Sequence, residues 1–290
     1  MSTIGQPSRT ALMAAAARAA HLLVDSSPPI FADTLARCFL GPGADELLGY
    51  HRSFGDHPIL AGARTSAVTR SRYTEDRLAA LVRRGVDQYV ILGAGLDSFA
   101  YRSPLAAQVR VFEVDQPATQ EWKRDLLAET GTKVSPSTAF VPVDFEQDSV
   151  RSLVPLLTRA GFDAGRPALV GWLGVTMYLT PDAIGQTLEA VGTLAPGTEL
   201  VVEHLLPHDL RDELGRAYAE SVMAAAAEQG EPWRTFLSAL QMDTLLREHR
   251  LQPVESVDQR DAIDSAGWER TDPLRPFALS MLARARVPTR

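Results

Sequence analysis

The chain is predicted to adopt an α/β fold, with a mainly parallel sheet of about seven strands wrapped by helices. Three observations predict it. Short β-rich runs alternate with helical stretches from residue 88 to residue 206. The first run, "YVILGAGLDSFAYR" (89–102), enters a turn with two glycines, and an acid follows almost at once. Upstream of it, residues 1–87 carry mostly helical apolar spacing.

The elements follow in order. "TALMAAAARAAHLLV" (10–24) has helical spacing, and "IFADTLARCFL" (30–40), after a Pro-Pro pair, reads as helical too. "GPGADELL" (41–48) marks a turn and a short helix. "TRSRYTEDRLAALVRRG" (69–85) is a helix with Leu78, Leu81 and Val82 on its apolar side and Gly85 as its stop. Strands are expected at 88–92, 109–114, 138–144, 168–175 and 198–206, with helices at 118–130, 149–160 and 181–194 between them. The rhythm then breaks. Residues 207–240 form an insert with a long helix and "EPWRTFL". A helix ("MDTLLREHR"), a strand ("LQPVESV") and a last apolar run ("PFALSMLARAR") complete the sheet. The division is a helical N-terminal cap over 1–87 and a core over 88–290, with 207–240 as its lid.

Composition narrows the function. The chain has 290 residues, 45% hydrophobic and 22% charged, as in an ordinary globular protein. Its 29 basic and 36 acidic side chains leave a formal charge of −7. A nucleic-acid backbone needs a basic surface, so nucleic acid is not an expected partner. Cys38 is the one cysteine, which excludes an internal disulfide and a thiolate zinc site. The six histidines show no ligand spacing, and no metal is expected. No run reaches the ~18 apolar residues of a membrane span. Arg18 and His21 interrupt the first helix, which reads as amphipathic rather than as a signal peptide. The expected location is the cytoplasm, away from any membrane.

The glycine turn is the candidate cofactor cradle. Glycine lets a backbone approach a ligand, a following helix N-terminus favours polar or anionic groups, and parallel sheets bind ligands at the carboxyl ends of their strands. Gly93, Ala94, Gly95 and Asp97 form that turn. The dinucleotide fingerprint wants a third glycine or alanine, and Ser98 stands there. Serine is small, so a nicotinamide cofactor stays open. Glu113 and Asp115 lie 18 and 20 residues beyond Gly95, where an acid would take ribose hydroxyls of either cofactor. Asp144 and Phe145, in "VPVDF", suit an adenine: a carboxylate for the exocyclic amine and a ring beside the base. That pair favours S-adenosylmethionine.

Several segments in order, "RSRYTEDRLAALVRRGVDQYVILGAGLDSFAYR", "VFEVDQPATQEWKR", "VPVDF" and "WLGVTMYLT", resemble the leucine carboxyl methyltransferase family, and more closely an actinobacterial branch of S-adenosylmethionine-dependent methyltransferases. "SRTALMAAAARAAHLL", "IFADTLA" and "GEPWRTF" are similar to that branch as well, so the resemblance covers nearly the whole chain. It implies the class I methyltransferase (Rossmann-like) seven-stranded sheet, with the last strand inserted antiparallel. It implies an S-adenosyl-L-methionine cofactor and a small-molecule or peptide acceptor. Arg70 matches the arginine that grips the cofactor's methionine carboxylate, a task suited to a guanidinium fork. Gly93 and Gly95 match the glycine loop, Asp115 the ribose acid with Glu113 as alternative, and Asp144 and Phe145 the adenine pair. One position departs: the protein-phosphatase-methylating members carry glutamate where this chain has Leu173, also a cofactor-pocket position.

For the chemistry, Tyr178 is placed near the transferred methyl, and His204, at the end of the fifth strand, is a candidate base. Trp172, Met177, Tyr218, Met223, Trp233 and Phe236 are candidates for lining the acceptor pocket or for packing the core. The expected activity is O-methylation of a carboxylate or hydroxyl on a small metabolite, with a peptide C-terminal carboxylate as a variant. An NAD(P)-dependent oxidoreductase and a non-catalytic cofactor-binding protein are the competing classes.

Overall fold

Alternation along the first strand, β1 (Gln88–Leu92), sorts its side chains to two buried faces. The computed structural model describes residues 8–146 and 153–289. The strands β2 (Arg110–Asp115), β3 (Thr138–Pro142), β4 (Leu169–Trp172), β5 (Glu199–Leu205), β6 (Gln252–Val257) and β7 (Ser280–Arg286) join β1 in one seven-stranded sheet. The spatial order is β3-β2-β1-β4-β5-β7-β6. The first five strands are parallel, and β7 runs antiparallel between β5 and β6. This is the expected doubly wound sheet with its antiparallel insertion.

Val90 and Leu92 join Phe112, Val170, Trp172 and Val202 on one face. Helices α6 (Leu153–Arg159), α7 (Pro181–Gly192) and α9 (Ala239–Glu248) cover it. Residues 149–152, the expected start of α6, lie outside the described residues. Tyr89, Ile91, Val111, Leu169 and Val201 form the other face. There α3 (Pro58–Val82) and the short α4 (Phe99–Arg102) pack through Leu78, Leu81 and Phe99. A third cluster joins α1 (Arg9–Val24), α2 (Ala44–Ser53) and α5 (Pro117–Glu129). Helix α8 (Glu213–Glu228) lies inside the expected 207–240 insert and packs on α3. Gly62 permits that contact: a Cβ there would sit 2.9 Å from the Tyr218 ring.

Three expectations are corrected. The third long helix starts at Pro58 rather than near residue 69, because Ala61, Ala67 and Val68 bury its first turns. Residues 30–40 are turns running into a 3-10 helix, Cys38–Gly43, rather than an α-helix. There the Asp33 carboxylate takes the Leu35 amide at 3.2 Å, a local bond that competes with helical pairing. The helix after the glycine turn is four residues long and ends at Arg102, with Ser103 as its cap before Pro104. It is too short to supply the helix dipole expected from sequence.

The N-terminal cap is held by buried charge. Arg64, fully buried, donates to both Asp25 oxygens at 2.8 and 2.9 Å, to the Gly55 carbonyl, and to His51 Nδ1 at 3.2 Å. His51 therefore serves as a neutral acceptor. Burial, with the Arg64 charge beside it, pushes its pKa down to about 4. The unfolded chain takes up that proton near pH 6.5, before the native state does, so this contribution to stability is lost as pH falls from about 6.5 towards 4. Urea melts of wild type and His51→Gln across that window are expected to show the wild type losing more stability on acidification. Parallel curves would contradict the assignment.

Candidate active site

At the carboxyl end of β1 the backbone turns through Gly93 (φ +66°) and Gly95 (φ +46°). The amides of Gly93 and Ala94 donate to the Val114 carbonyl at 2.8 and 3.0 Å, which ties the turn to β2. A Cβ on Gly93 would lie 2.2 Å from the Val175 side chain after β4. The turn therefore needs glycine both for its dihedral and for close approach. Asp97 closes the turn by accepting the Phe99 amide at 2.7 Å.

The two candidate acids after the turn separate cleanly. Asp115 ends β2 and is half-buried; its carboxylate takes the amide of Gly95 and, at 2.7 Å, that of Gln116. Desolvation raises its pKa against those two donors. Glu113 is 1% exposed and pairs with Lys123 at 2.7 Å inside the core. Burial pushes its pKa up, opposed by the Lys123 charge. Asp115, not Glu113, stands beside the glycine turn.

The N-terminal cap grips this turn through a residue the sequence reading missed. Asp33 is buried and takes Arg18 at 2.8 Å and the Ser98 hydroxyl at 2.6 Å, with Arg102 at 3.4 Å. Arg18 also donates to the Leu96 carbonyl at 2.7 Å. Burial works to raise the Asp33 pKa, but the Arg18 and Arg102 charges and the Ser98 bond prevail and hold it below its usual value. Ser98, in the third fingerprint position, is thus occupied in joining cap to turn. Its only signal in the sequence was the "IFAD" segment.

Arg70, on α3, reaches the strand ends from the other side. Its guanidinium donates to Glu203 at 2.9 Å and lies against Gly174, where a Cβ would meet it at 2.9 Å. It does not pair with its helical neighbours Glu75 or Asp76; Glu75 binds Arg102, and Asp76 binds Arg72. Leu173 packs its side chain into the apolar layer beneath α3.

Residues 231–237 of the insert pack over the same edge. The amides of Arg234 and Thr235 donate to Met177, and that of Leu237 to Leu205. The Thr10 amide at the start of α1 meets Glu231 at 3.3 Å. Tyr178 packs with Met177, Tyr218, Met223, Trp233 and Phe236 in one apolar cluster. Desolvation raises the Tyr178 pKa, so its hydroxyl stays protonated at neutral pH. Trp172 is the exception among the expected lining residues: it is fully buried in the sheet core, 6.3 Å from the Phe145 ring. Asp144 follows β3 and accepts the Glu146 amide at 3.0 Å.

His204 is corrected. It points to the opposite face from Glu203, is 1% exposed, and binds the Leu237 carbonyl through Nδ1 at 2.8 Å. Burial lowers its pKa. The strand alternation that exposes Glu203 to Arg70 turns His204 inward. Among the described residues there is no His/Cys/Asp/Glu group arranged to hold a metal, and no helix long and apolar enough to cross a membrane.

Two outcomes test this geometry. Asp33→Ala leaves Arg18 without its counter-ion, while Arg102 keeps Glu75, and is expected to cost about 3–5 kcal/mol in urea unfolding. Gly93→Ala forces an unfavourable dihedral, worth about 1–2 kcal/mol, and adds the clash with Val175. Pairing it with Val175→Ala is expected to recover only the clash, and full recovery would contradict the dihedral argument.

Comparison with known proteins places the chain. A Mycobacterium tuberculosis protein named as an S-adenosyl-L-methionine-dependent methyltransferase is 40% identical over 151 residues, 51% of this chain and 47% of that protein. The chain thus spans about half the length of such relatives. A Mycolicibacterium paratuberculosis protein of the same name is 34% identical over 226 residues, 74% of this chain and 68% of its own. A solved Thermobifida fusca structure, described as a methyltransferase, shares the fold at TM-score 0.63 and 19% identity, over 98% of this chain and 96% of that one. A DUF574-family structure from Streptomyces avermitilis shares it at TM-score 0.60 and 18% identity, over 94% and 97%. The profile of the leucine carboxyl methyltransferase family matches residues 11–192, more than half of the chain. The matched span holds the glycine turn, Asp115 and Arg70, and the chain belongs to the leucine carboxyl methyltransferase family.

Proposed function

We propose that this chain is an S-adenosylmethionine-dependent O-methyltransferase acting on a carboxylate or hydroxyl of a small metabolite. The observation that carries this is the convergence of the Gly93–Gly95 turn, Asp115 and Arg70 on the carboxyl edge of the parallel strands, beneath a lid. The residues fit the cofactor's chemistry. Asp115 offers an acceptor to ribose hydroxyls, Arg70 a fork to the methionine carboxylate, and Asp144 with Phe145 an acceptor and a ring to adenine. When bound, S-adenosylmethionine supplies an electrophilic sulfonium methyl.

The protein's work is positional. The lid segment at residues 231–237 and the start of α1 exclude water above the strand ends, and the Met177–Tyr178–Tyr218–Trp233 cluster shapes the acceptor pocket. Tyr178 presents a protonated hydroxyl, a donor for an acceptor oxygen rather than a base. With His204 turned into the core, a carboxylate acceptor is favoured, because it is already anionic and needs no base. A peptide C-terminal carboxylate is the second reading, supported by the family. Leu173, apolar where the protein-phosphatase-methylating members carry glutamate, weighs against that particular substrate.

Calorimetric titration with S-adenosylmethionine, S-adenosylhomocysteine and NADH is the test. Both adenosyl ligands are expected to bind and NADH is not. Arg70→Ala is expected to weaken the adenosyl ligands by at least ~1.5 kcal/mol, the low end for a charged hydrogen bond. Binding of NADH alone would move the chain to the oxidoreductase class. Adenosyl binding without methyl transfer to any acceptor would leave a non-catalytic cofactor-binding protein.

A further inference from the structure

The Glu203 carboxylate is 3% exposed, yet it collects three donors from three different elements. Arg70 on α3 reaches it at 2.9 Å, the Gly174 amide after β4 at 2.8 Å, and the Ser280 hydroxyl on β7 at 3.0 Å. Its own backbone carbonyl takes the Thr176 hydroxyl at 2.7 Å. Two of these donors, Arg70 and Gly174, touch each other and sit next to Val175, which abuts the glycine turn. A free guanidinium at this edge would present a full positive charge. Such a charge favours any anion, including the pyrophosphate of a dinucleotide. The Arg70–Glu203 pair carries no net charge and keeps unused N–H donors on the Arg70 fork.

We infer that Glu203 is a positioning and selectivity residue for the methionine end of the cofactor. This rests on the methyltransferase reading above. Glu203 fixes the Arg70 fork and the Leu173–Gly174 peptide together, so that the fork meets a carboxylate in one orientation. By cancelling the Arg70 charge it also matches the site to a zwitterionic amino acid rather than to a polyanion. The carboxylate absent at Leu173, just after β4, is in this way supplied by the neighbouring strand β5.

Three probes separate the terms in calorimetric titrations of the full chain. S-adenosylhomocysteine carries the zwitterion, 5′-methylthioadenosine lacks it, and ADP replaces it with an anion. Glu203→Gln is expected to weaken S-adenosylhomocysteine about tenfold and to leave 5′-methylthioadenosine within about twofold. The preference for S-adenosylhomocysteine over ADP is expected to fall by more than tenfold. Glu203→Asp keeps the charge but withdraws the carboxylate; it is expected to weaken S-adenosylhomocysteine while still rejecting ADP, and it decides the matter if the glutamine variant does not fold. Equal loss for S-adenosylhomocysteine and 5′-methylthioadenosine would mean that Glu203 only supports the fold, and an unchanged ADP preference would remove the selectivity role. If wild type bound no S-adenosylhomocysteine at all, the methyltransferase reading itself would fall and take this inference with it. That result is distinct from either failure in the variants.

Discussion

The buried carboxylate of Asp33 is the point on which the architecture of the site turns. It lies in an irregular segment of the cap, yet it accepts from Arg18 on α1 and from Ser98 just beyond the glycine turn, with Arg102 close by. The buried anion is tolerable there because two guanidinium groups flank it; Arg18 takes its countercharge from Asp33, and Arg102 shares Asp33 with Glu75. The N-terminal segment is therefore fastened to the carboxyl edge of the sheet by an electrostatic knot as well as by apolar packing. The Arg18 bond to the Leu96 carbonyl carries the same restraint into the turn itself.

A second knot, Arg70 with Glu203, joins α3 to the ends of β4 and β5 from the opposite side. Between the two knots lie the positive-φ glycines and Asp115. Above them, backbone bonds seat residues 234–237 on Met177 and Leu205, and Glu231 meets the start of α1. The N-terminal segment and the 207–240 insert thus meet over the strand ends, where side chains from α8, the 3-10 turn at Tyr178 and the segment around Trp233 pack together. One sheet with different covers can serve many acceptors, and for that reason fold alone does not name the substrate.

Much of the fold was legible in the chain itself. Short β-rich apolar runs marked the strands, and the break in rhythm after residue 206 marked the insert, because burial on both sheet faces leaves a local imprint. The glycine turn was legible because its dihedral and its contact with Val175 both demand glycine. Less legible were the segment at 30–40, whose helical spacing lost to the side-chain bonds of Asp33, and the start of α3, whose small buried residues carry little periodic signal.

The sequence by itself determined the elements, the turn and the acid-bearing strand ends, since each depends on residues close in the chain. Only the tertiary structure set Asp115 beside the glycine turn and Glu113 against Lys123, turned His204 into the core, and set Trp172 apart from its aromatic companions. It alone brought Asp33 to Ser98 and Glu203 to Arg70, pairs separated by 65 and 133 residues. The physical reason is common to all of these. A charged side chain's role is set by which partners and how much solvent surround it, and chain crossing and strand facing settle both, leaving no local pattern to read.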